Sequence, residues 1–193
     1  MEQTDPRQLL INVIRILDGL KIPYLVTGGM AVFVWGRPRF TADIDIVVEL
    51  PPAKAAMLGK ALHALGEAGY LDEDAMHEAM ARRGEFNFVD GTTGVKVDFW
   101  VSEDSPFDRS RFRRRQNINL LGEHIAFTSA EDLILVKLRW DKESYGSSKQ
   151  FEDVISILSI SGKKLDQAYL NDWAHRLDVE ERLDEAKLSA SRI

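Results

Sequence analysis

Two aspartates, Asp43 and Asp45, stand one residue apart at the start of an apolar stretch that ends at Glu49. The stretch is rich in β-branched residues, which is typical of a β-strand. Because successive side chains of a strand point to opposite faces, Asp43 and Asp45 share one face, and the isoleucines that follow each of them share the other. Two neighbouring carboxylates repel each other unless a cation lies between them, and Mg²⁺ prefers carboxylates together with phosphate oxygens. The pair therefore indicates either a Mg²⁺ site or two acids at a solvated strand end.

A strand, two glycines and a helix are predicted just before this acidic strand. The predicted strand 22–27 runs directly into Gly28 and Gly29, and the apolar run 30–35 that follows is helical in length. Glycines permit close backbone approach, and a helix N-terminus offers free N–H groups, so the segment predicts a phosphate cradle. The alternative is a tight strand-to-helix turn with no ligand. Arg39, in the connection to the acidic strand, either neutralises phosphates or is a solvated loop charge.

A third acid, Asp98, lies in the middle of the predicted strand 95–101, which forms a hairpin with the predicted strand 85–89. Three carboxylates on adjacent strands can hold two divalent metal ions, an arrangement suited to phosphoryl or nucleotidyl transfer. The alternative for Asp98 is a buried acid that is paired with Lys96 or with an arginine.

The rest of the chain predicts a further hairpin and several helices. Strands are expected at 116–121 and 124–127, and helices at about 5–20, 53–68, 72–83, 147–160, 166–177 and 179–190, with one more that begins after Ser129. Ser129 is an N-cap with Asp132 three residues on, an acidic variant of the capping box. The segment Pro106–Arg115 is expected to be a basic loop.

Composition limits the classes of protein that need to be considered. The 193 residues include no cysteine, which excludes a disulfide framework and a thiolate metal site. No basic leader and no apolar run of membrane-spanning length is visible, so a cytoplasmic protein without a membrane partner is expected. The net charge of −6 argues against a general polyanion-binding surface, although it leaves room for a local basic patch.

Taken together, three segments resemble the polymerase-β-type nucleotidyltransferase superfamily: Gly28-Gly29, Arg39-x-Thr41-x-Asp43-Ile-Asp45 and Val97-Asp98-Phe99. Within that superfamily the pattern is most similar to the AbiEii-like branch, which includes toxins of toxin–antitoxin systems. The helix segment 131–139 and the later segment 151–153 are also similar to that branch, so the resemblance extends over residues 20 to 160.

The resemblance implies an α+β nucleotidyltransferase fold, with a mixed β-sheet flanked by helices and a C-terminal helical region. The expected catalytic core is 1–128, and the expected helical region, packed on the core, is 129–193. It also implies an enzyme that uses Mg²⁺, with Mn²⁺ as an alternative, to transfer NMP from an NTP to a hydroxyl of RNA, protein or a small molecule. A toxin role with a cognate antitoxin is a further implication.

The resemblance also assigns roles to individual residues. The nucleotide phosphates are expected at Gly28 and Gly29, with Arg39 and Thr41 as further nucleotide-binding residues. Metal binding is expected at Asp43, Asp45 and Asp98, and Asp98 is expected to help deprotonate the acceptor hydroxyl. Lys137 is expected to contact the triphosphate, with Asp153 positioned beside it. The alternatives are a solvated position for Lys137 and an ordinary i,i+4 helix pair between Lys149 and Asp153.

Two further hypotheses come from the residues themselves. The first is a nucleotide-binding or partner-binding module with this fold and little catalysis, which three mutually repelling carboxylates disfavour. The second concerns the basic run Arg109, Arg111, Arg113, Arg114 and Arg115. It predicts a guide for a polyanionic acceptor such as RNA, through phosphate contacts that carry no sequence information. The alternative is that these arginines balance Glu103, Asp104 and Asp108 or are solvated.

Overall fold

The computed structural model describes residues 6–66, 68–144, 146 and 148–192. Its strands are β1 (Tyr24–Val26), β2 (Asp43–Val48), β3 (Tyr70–Leu71), β4 (Glu85–Val89), β5 (Lys96–Val101), β6 (Gln116–Leu120) and β7 (Glu123–Phe127). Its α-helices are α1 (Pro6–Gly19), α2 (Gly28–Trp35), α3 (Pro52–His63), α4 (Glu73–Arg82), α5 (Pro106–Arg113), α6 (Ala130–Glu143), α7 (Ser148–Ser161), α8 (Gln167–Arg176) and α9 (Glu180–Ala190). The chain divides into two compact units, which are Met1–Gly29 with Phe40–Phe127, and Met30–Arg39 with Thr128–Ile193.

The first unit is built on one mixed sheet. Among the described residues it has seven strands in the order β3-β4-β5-β2-β1-β7-β6. The pairs β2–β5 and β1–β7 are parallel, and the other neighbours are antiparallel. The predicted α+β fold with a mixed sheet is therefore confirmed. The two-residue strand β3 was not predicted because so short a segment carries no periodic pattern.

One face of the central strands forms the core and fixes their register. Ile44 and Ile46 of β2 are at most 1% exposed, and Phe99 of β5 and Phe86 of β4 at most 2%. The rings of Phe86 and Phe99 stack with centroids 4.9 Å apart. Burying a side chain of this size contributes about 1.5–3 kcal/mol. A one-residue slip of β2 would place its aspartates in this core, so the core also determines what the opposite face carries.

The segment Pro106–Arg113 is a helix, and the prediction of a loop there is wrong. Ser105 is its N-cap, because the Ser105 hydroxyl accepts a hydrogen bond from the Asp108 amide at 3.1 Å. Pro106 occupies the first turn, where its fixed φ is favourable. Phe107 and Phe112 are buried. Because this segment has only two large apolar residues among many charged ones, its sequence shows no clear helical periodicity.

The second unit is helical. Helix α6 packs against α7 and α8, and α9 packs against α7 and α8. The predicted N-cap at the start of α6 is confirmed: the Ser129 hydroxyl accepts from the Asp132 amide at 3.2 Å, and it donates to Asp132 Oδ2 at 2.8 Å. The reciprocal bond from the Ser129 amide that completes a capping box stays a prediction. The segment 30–39 belongs to this unit, and the Trp35 indole donates to the Thr128 carbonyl at 2.9 Å. The functional division into 1–128 and 129–193 stays a prediction.

None of the described helices combines the length and the apolar composition that crossing a membrane requires.

Candidate active site

The acids Asp43, Asp45 and Asp98 lie together on one face of the sheet, and the buried side chains of Ile44, Ile46 and Phe99 lie on the other. In the parallel pair β2–β5, Asp43 is level with Lys96 and Asp45 is level with Asp98. Residues that are level on neighbouring strands point their side chains to the same face of the sheet. The strands themselves lie about 4.8 Å apart. We call the surface formed by Asp43, Asp45, Asp98 and, from β4, Glu85 the acid face.

Asp98 is the buried member of this set, and its two oxygens have different surroundings. Its side chain is 7% exposed, and Oδ2 lies 2.8 Å from the Lys96 ammonium nitrogen. Among the described residues, Oδ1 is buried without a hydrogen-bond partner. The hydrogen bond to Asp98, which outweighs burial, and the charges of Asp98, Asp43 and Glu85 raise the pKa of Lys96. The pairing with Lys96 that was considered as an alternative for Asp98 is therefore present.

Glu85 is a fourth carboxylate that the sequence analysis did not identify. In the antiparallel pair β4–β5 it is level with Trp100, while Asn87 is level with Asp98. Burial, followed by the charge of Asp98 and the hydrogen bond that protonated Glu85 donates to it, raises the pKa of Glu85 to about 7. Lys96 opposes this shift, and the charge of Asp45 adds to it. The available signal was alternation in β4, which puts Glu85 and Asn87 on one face and Phe86 and Phe88 on the other.

The two glycines leave no room for a side chain. Gly28 has φ +58°, and a Cβ there would lie 1.8 Å from Asp45 Oδ2. A Cβ on Gly29 would lie 2.4 Å from Thr41 Oγ1. The Thr41 hydroxyl in turn donates to the Asp43 carbonyl at 3.2 Å. The turn is therefore packed directly against the acidic strand at the point where α2 begins with its free N–H groups.

In the second unit, Arg39, Lys137 and Asp153 form a buried ion cluster. Arg39 contacts both carboxylate oxygens of Asp153 at 2.7 Å, and Lys137 lies 2.8 Å from Oδ2. Lys137 is 2% exposed and also donates to Gln150 at 2.7 Å. Burial opposes ionisation of Asp153, but the hydrogen bonds and charges of Arg39 and Lys137 together lower its pKa below the ordinary value. Asp153 pairs with these two residues rather than with Lys149, and Lys137 is not solvated.

The donor chemistry of the acid face suits a hard divalent cation. Its ligand atoms would be carboxylate oxygens from adjacent strands, including the buried Oδ1 of Asp98, which has no hydrogen-bond partner in the part of the chain that the structure describes. Within the described part of the chain, no three acidic or histidine side chains stand in position to hold a metal ion. Lys96 provides a physical reason, because its ammonium already occupies one oxygen of Asp98. The residues are therefore of the type that binds Mg²⁺, but the side chains would have to change position in order to coordinate it.

The arginines of the basic run are largely bound within the protein. Three of them have partners in the first unit: Arg109 pairs with Asp104 at 3.1 Å, Arg111 pairs with Asp108 at 3.0 Å, and Arg115 donates to the Phe112 carbonyl at 2.9 Å. The Arg111–Asp108 pair is buried, with both side chains 9% exposed. For Arg109 and Arg111 the charge-balancing alternative describes the structure.

Solved structures similar to this chain are nucleotidyltransferases. ANT(2″)-Ia in complex with adenylyl-2″-tobramycin matches with a TM-score of 0.62 and 15% identity, over 89% of this chain and 95% of that chain. An antigenic nucleotidyltransferase-like protein from Paracoccidioides brasiliensis matches with a TM-score of 0.55 and 18% identity, over 97% and 94% of the two chains. The lincosamide antibiotic adenylyltransferase LnuA, bound to lincomycin, matches with a TM-score of 0.53 and 15% identity, over 78% and 95%.

Sequence comparison adds nothing to this result, since no protein-family model and no curated protein matches the chain. Likeness at such low identity establishes architecture and does not transfer a substrate. The AbiEii-like branch stays a prediction of the sequence resemblance. The chain has the nucleotidyltransferase fold.

Proposed function

We propose that this protein is a Mg²⁺-dependent nucleotidyltransferase that moves NMP from an NTP to a hydroxyl group. The observation that carries the proposal is the register of β2 and β5, in which Asp45 is level with Asp98 while Asp43 stands one strand repeat away. The glycine turn packs directly against the same acids. A binding protein gains nothing from concentrating like charges at the place where a polyphosphate cradle begins.

In the proposed reaction the acceptor oxygen forms a bond to the α-phosphorus of the NTP. The bond between that phosphorus and the oxygen leading to the β-phosphate breaks, and pyrophosphate leaves with the bonding electron pair. The proton of the acceptor hydroxyl passes to a carboxylate of the acid face, for which Asp98 is the candidate. Mg²⁺, when bound, would neutralise charge on the attacking and leaving oxygens. Asp43, Asp45 and Asp98 would hold it.

The phosphates are assigned to the turn at Gly28 and Gly29, where the absence of side chains lets the backbone approach closely. Thr41 supports the turn through its contact with the position of Gly29 and its hydrogen bond to the Asp43 carbonyl. The roles of Arg39, Lys137 and Asp153 toward the triphosphate stay predictions of the resemblance. In the structure the three side chains satisfy one another.

For the acceptor we favour a small-molecule alcohol over RNA or a protein hydroxyl. Arg109 and Arg111, two of the five arginines that suggested an RNA guide, are paired with acids of the same chain. Two structures with similar folds are described with antibiotics, adenylyl-2″-tobramycin and lincomycin. The toxin role and a cognate antitoxin are supported by the sequence resemblance alone. Growth arrest on induced expression, absent in an Asp43→Asn variant, would test them.

The alternative function is a nucleotide-binding or partner-binding module, and one observation favours it: Lys96 neutralises part of the charge of Asp98 without any metal. Both proposals are tested by incubating the purified protein with Mg²⁺, each of the four NTPs and an acceptor pool, and measuring pyrophosphate. We expect release that is lost in Asp43→Asn. Tight NTP binding without pyrophosphate release from any pool would favour the binding module.

A further inference from the structure

Lys96 occupies a particular position on the acid face. It lies level with Asp43 on the neighbouring strand and one strand repeat before Asp98. Its ammonium nitrogen is 2.8 Å from Asp98 Oδ2, and the charges of Asp43 and Glu85 also act on it. A single cationic side chain thus lies among three of the four carboxylates of this surface.

Asp98 depends on this ammonium group in the metal-free protein. Its side chain is 7% exposed, and an ionised carboxylate that is so nearly buried needs a compensating charge or hydrogen-bond donors. Lys96 supplies the charge at one oxygen, while the other oxygen has no hydrogen-bond partner among the described residues. The Lys96 side chain itself is 39% exposed, and its flexible four-carbon stem leaves it room to move into solvent.

We infer that Lys96 is the internal counter-cation of the acid face and that a divalent cation must displace its ammonium group from Asp98 in order to bind. The inference rests on the proposed function, since it assumes that these carboxylates are the metal ligands. Two cations that share one carboxylate repel each other strongly at distances near 4 Å. Lys96 would therefore lower the affinity of the free protein for metal, so that metal is retained mainly when it arrives with a polyphosphate. Lys96 acts here as a positioning residue, because it works through Asp98.

The first test measures Mn²⁺ binding to the metal-free, nucleotide-free protein by electron paramagnetic resonance. In Lys96→Met, which keeps the length of the side chain and removes its charge, we expect binding at least about tenfold tighter than in wild type. Lys96→Arg keeps the charge and should stay near the wild-type affinity. Lys60→Met, at an exposed position of α3, makes the same change in net charge away from the acids and should also leave the affinity unchanged. Equal or weaker binding in Lys96→Met would overturn the inference.

A second readout uses the wild-type protein and does not depend on the folding of any variant. The side-chain ammonium resonance of Lys96, assigned by its absence in Lys96→Arg, is followed by NMR during a titration with Mg²⁺. An ammonium held by a carboxylate exchanges its protons slowly, so release from Asp98 should broaden or shift the resonance. A resonance that stays unchanged at Mg²⁺ concentrations saturating the protein would show that the cation binds without displacing Lys96, and would overturn the inference.

Asp43→Asn in the same Mn²⁺ titration separates failure of this inference from failure of the proposed function. Loss of Mn²⁺ binding in Asp43→Asn together with tighter binding in Lys96→Met supports both. Loss in Asp43→Asn without any gain in Lys96→Met leaves the metal site standing and removes the role of Lys96. Wild-type binding in Asp43→Asn would mean that the acid face is not the metal site, and both proposals would fall.

Discussion

Asp43 and Asp45 are the residues on which the proposed chemistry depends most directly. Both are half-buried, and they share a face with Asp98. Asp43→Asn or Asp45→Asn should lower nucleotidyl transfer by at least about a hundredfold, because the loss of one transition-state charge contact is typically worth that much or more. Stability should be unchanged or slightly raised, since like-charge repulsion is relieved. Steady-state pyrophosphate release and thermal melting test this together, with exposed Asp74→Asn as the matched control. Full turnover in either variant at saturating Mg²⁺ would remove the metal assignment.

Gly29 makes the phosphate cradle testable apart from catalysis. A Cβ at this position would lie 2.4 Å from Thr41 Oγ1, so any side chain must push the turn away from the acidic strand. Gly29→Val should weaken binding of a non-hydrolysable NTP by about tenfold or more, through lost backbone approach. Gly19→Val is the control, because a Cβ there meets nothing within 4 Å. Calorimetry that gave wild-type affinity in a folded Gly29→Val protein would move the phosphate site elsewhere.

Glu85 gives the metal-free protein a pH-dependent stability whose sign can be worked out. Its pKa is about 7 in the folded chain against an ordinary value of 4.5, so between these values the folded state holds a proton that the unfolded state has released. The resulting stabilisation is complete below the unfolded pKa and is lost as pH rises through the folded pKa.

Glu85→Gln should remove this dependence. From pH 5 to pH 8, the unfolding free energy of the wild type should fall by up to about 1 kcal/mol more than that of the variant. This difference is smaller than the pKa shift of Glu85 alone would give, because solvent screens the exposed side chain. Urea unfolding in the presence of a chelator measures it, with exposed Glu78→Gln expected to follow the wild type. Parallel pH profiles for wild type and Glu85→Gln would contradict the raised pKa.

At the scale of elements, α6 and α7 are joined by the ion pair between Lys137 and Asp153. The two side chains are 2% and 4% exposed, so removing one partner leaves a buried charge. Asp153→Asn should lower the unfolding free energy by about 3 kcal/mol or more, whereas the triple variant Arg39→Met, Lys137→Met and Asp153→Leu, which removes all three charges, should recover most of the loss. Asp172→Asn breaks an exposed pair with Arg176 and should cost less than about 1 kcal/mol. Equal costs for the buried and exposed variants in chemical denaturation would contradict this account of the cluster.

Features set by local sequence could be predicted, whereas features set by the pairing of distant strands could not. Alternation within β2 is a local property, so the common face of Asp43 and Asp45 could be predicted from residues 41–49 alone. The pairing of Asp45 with Asp98 joins strands far apart in the chain, so their neighbourhood could be proposed from the sequence but their register could not. Glu85 was missed for a related reason: its place beside Asp98 depends on the register of the β4–β5 hairpin. Helix α5 was missed although Ser105, followed by proline and by Asp108, formed a readable cap.

For the whole molecule, the distribution of charge decides which acceptor is favoured. The net charge is −6 and the isoelectric point is near 5.3, which argues against a general polyanion-binding surface. The one dense basic run uses Arg109 and Arg111 to neutralise acids of the same chain. A polyanionic acceptor would therefore compete with Asp104 and Asp108 for these two arginines, while a neutral or cationic alcohol would not depend on them.

This arrangement predicts how transfer responds to salt. Hydroxyl-bearing antibiotics and total tRNA are offered separately as acceptors with Mg²⁺ and each NTP, and nucleotidylated product is measured by mass spectrometry at several salt concentrations. We expect product with a small-molecule acceptor, and a rate that changes less than about threefold between 50 and 200 mM salt. An acceptor held through six or more phosphate contacts would lose about a thousandfold or more in affinity over that range, because its binding releases counterions.

Asp43→Asn serves as the inactive control in every reaction. Nucleotidylated tRNA whose yield falls steeply with salt would instead establish RNA as the acceptor. If replacing exposed Arg113 with serine made that salt dependence weaker, the basic run would be its guide.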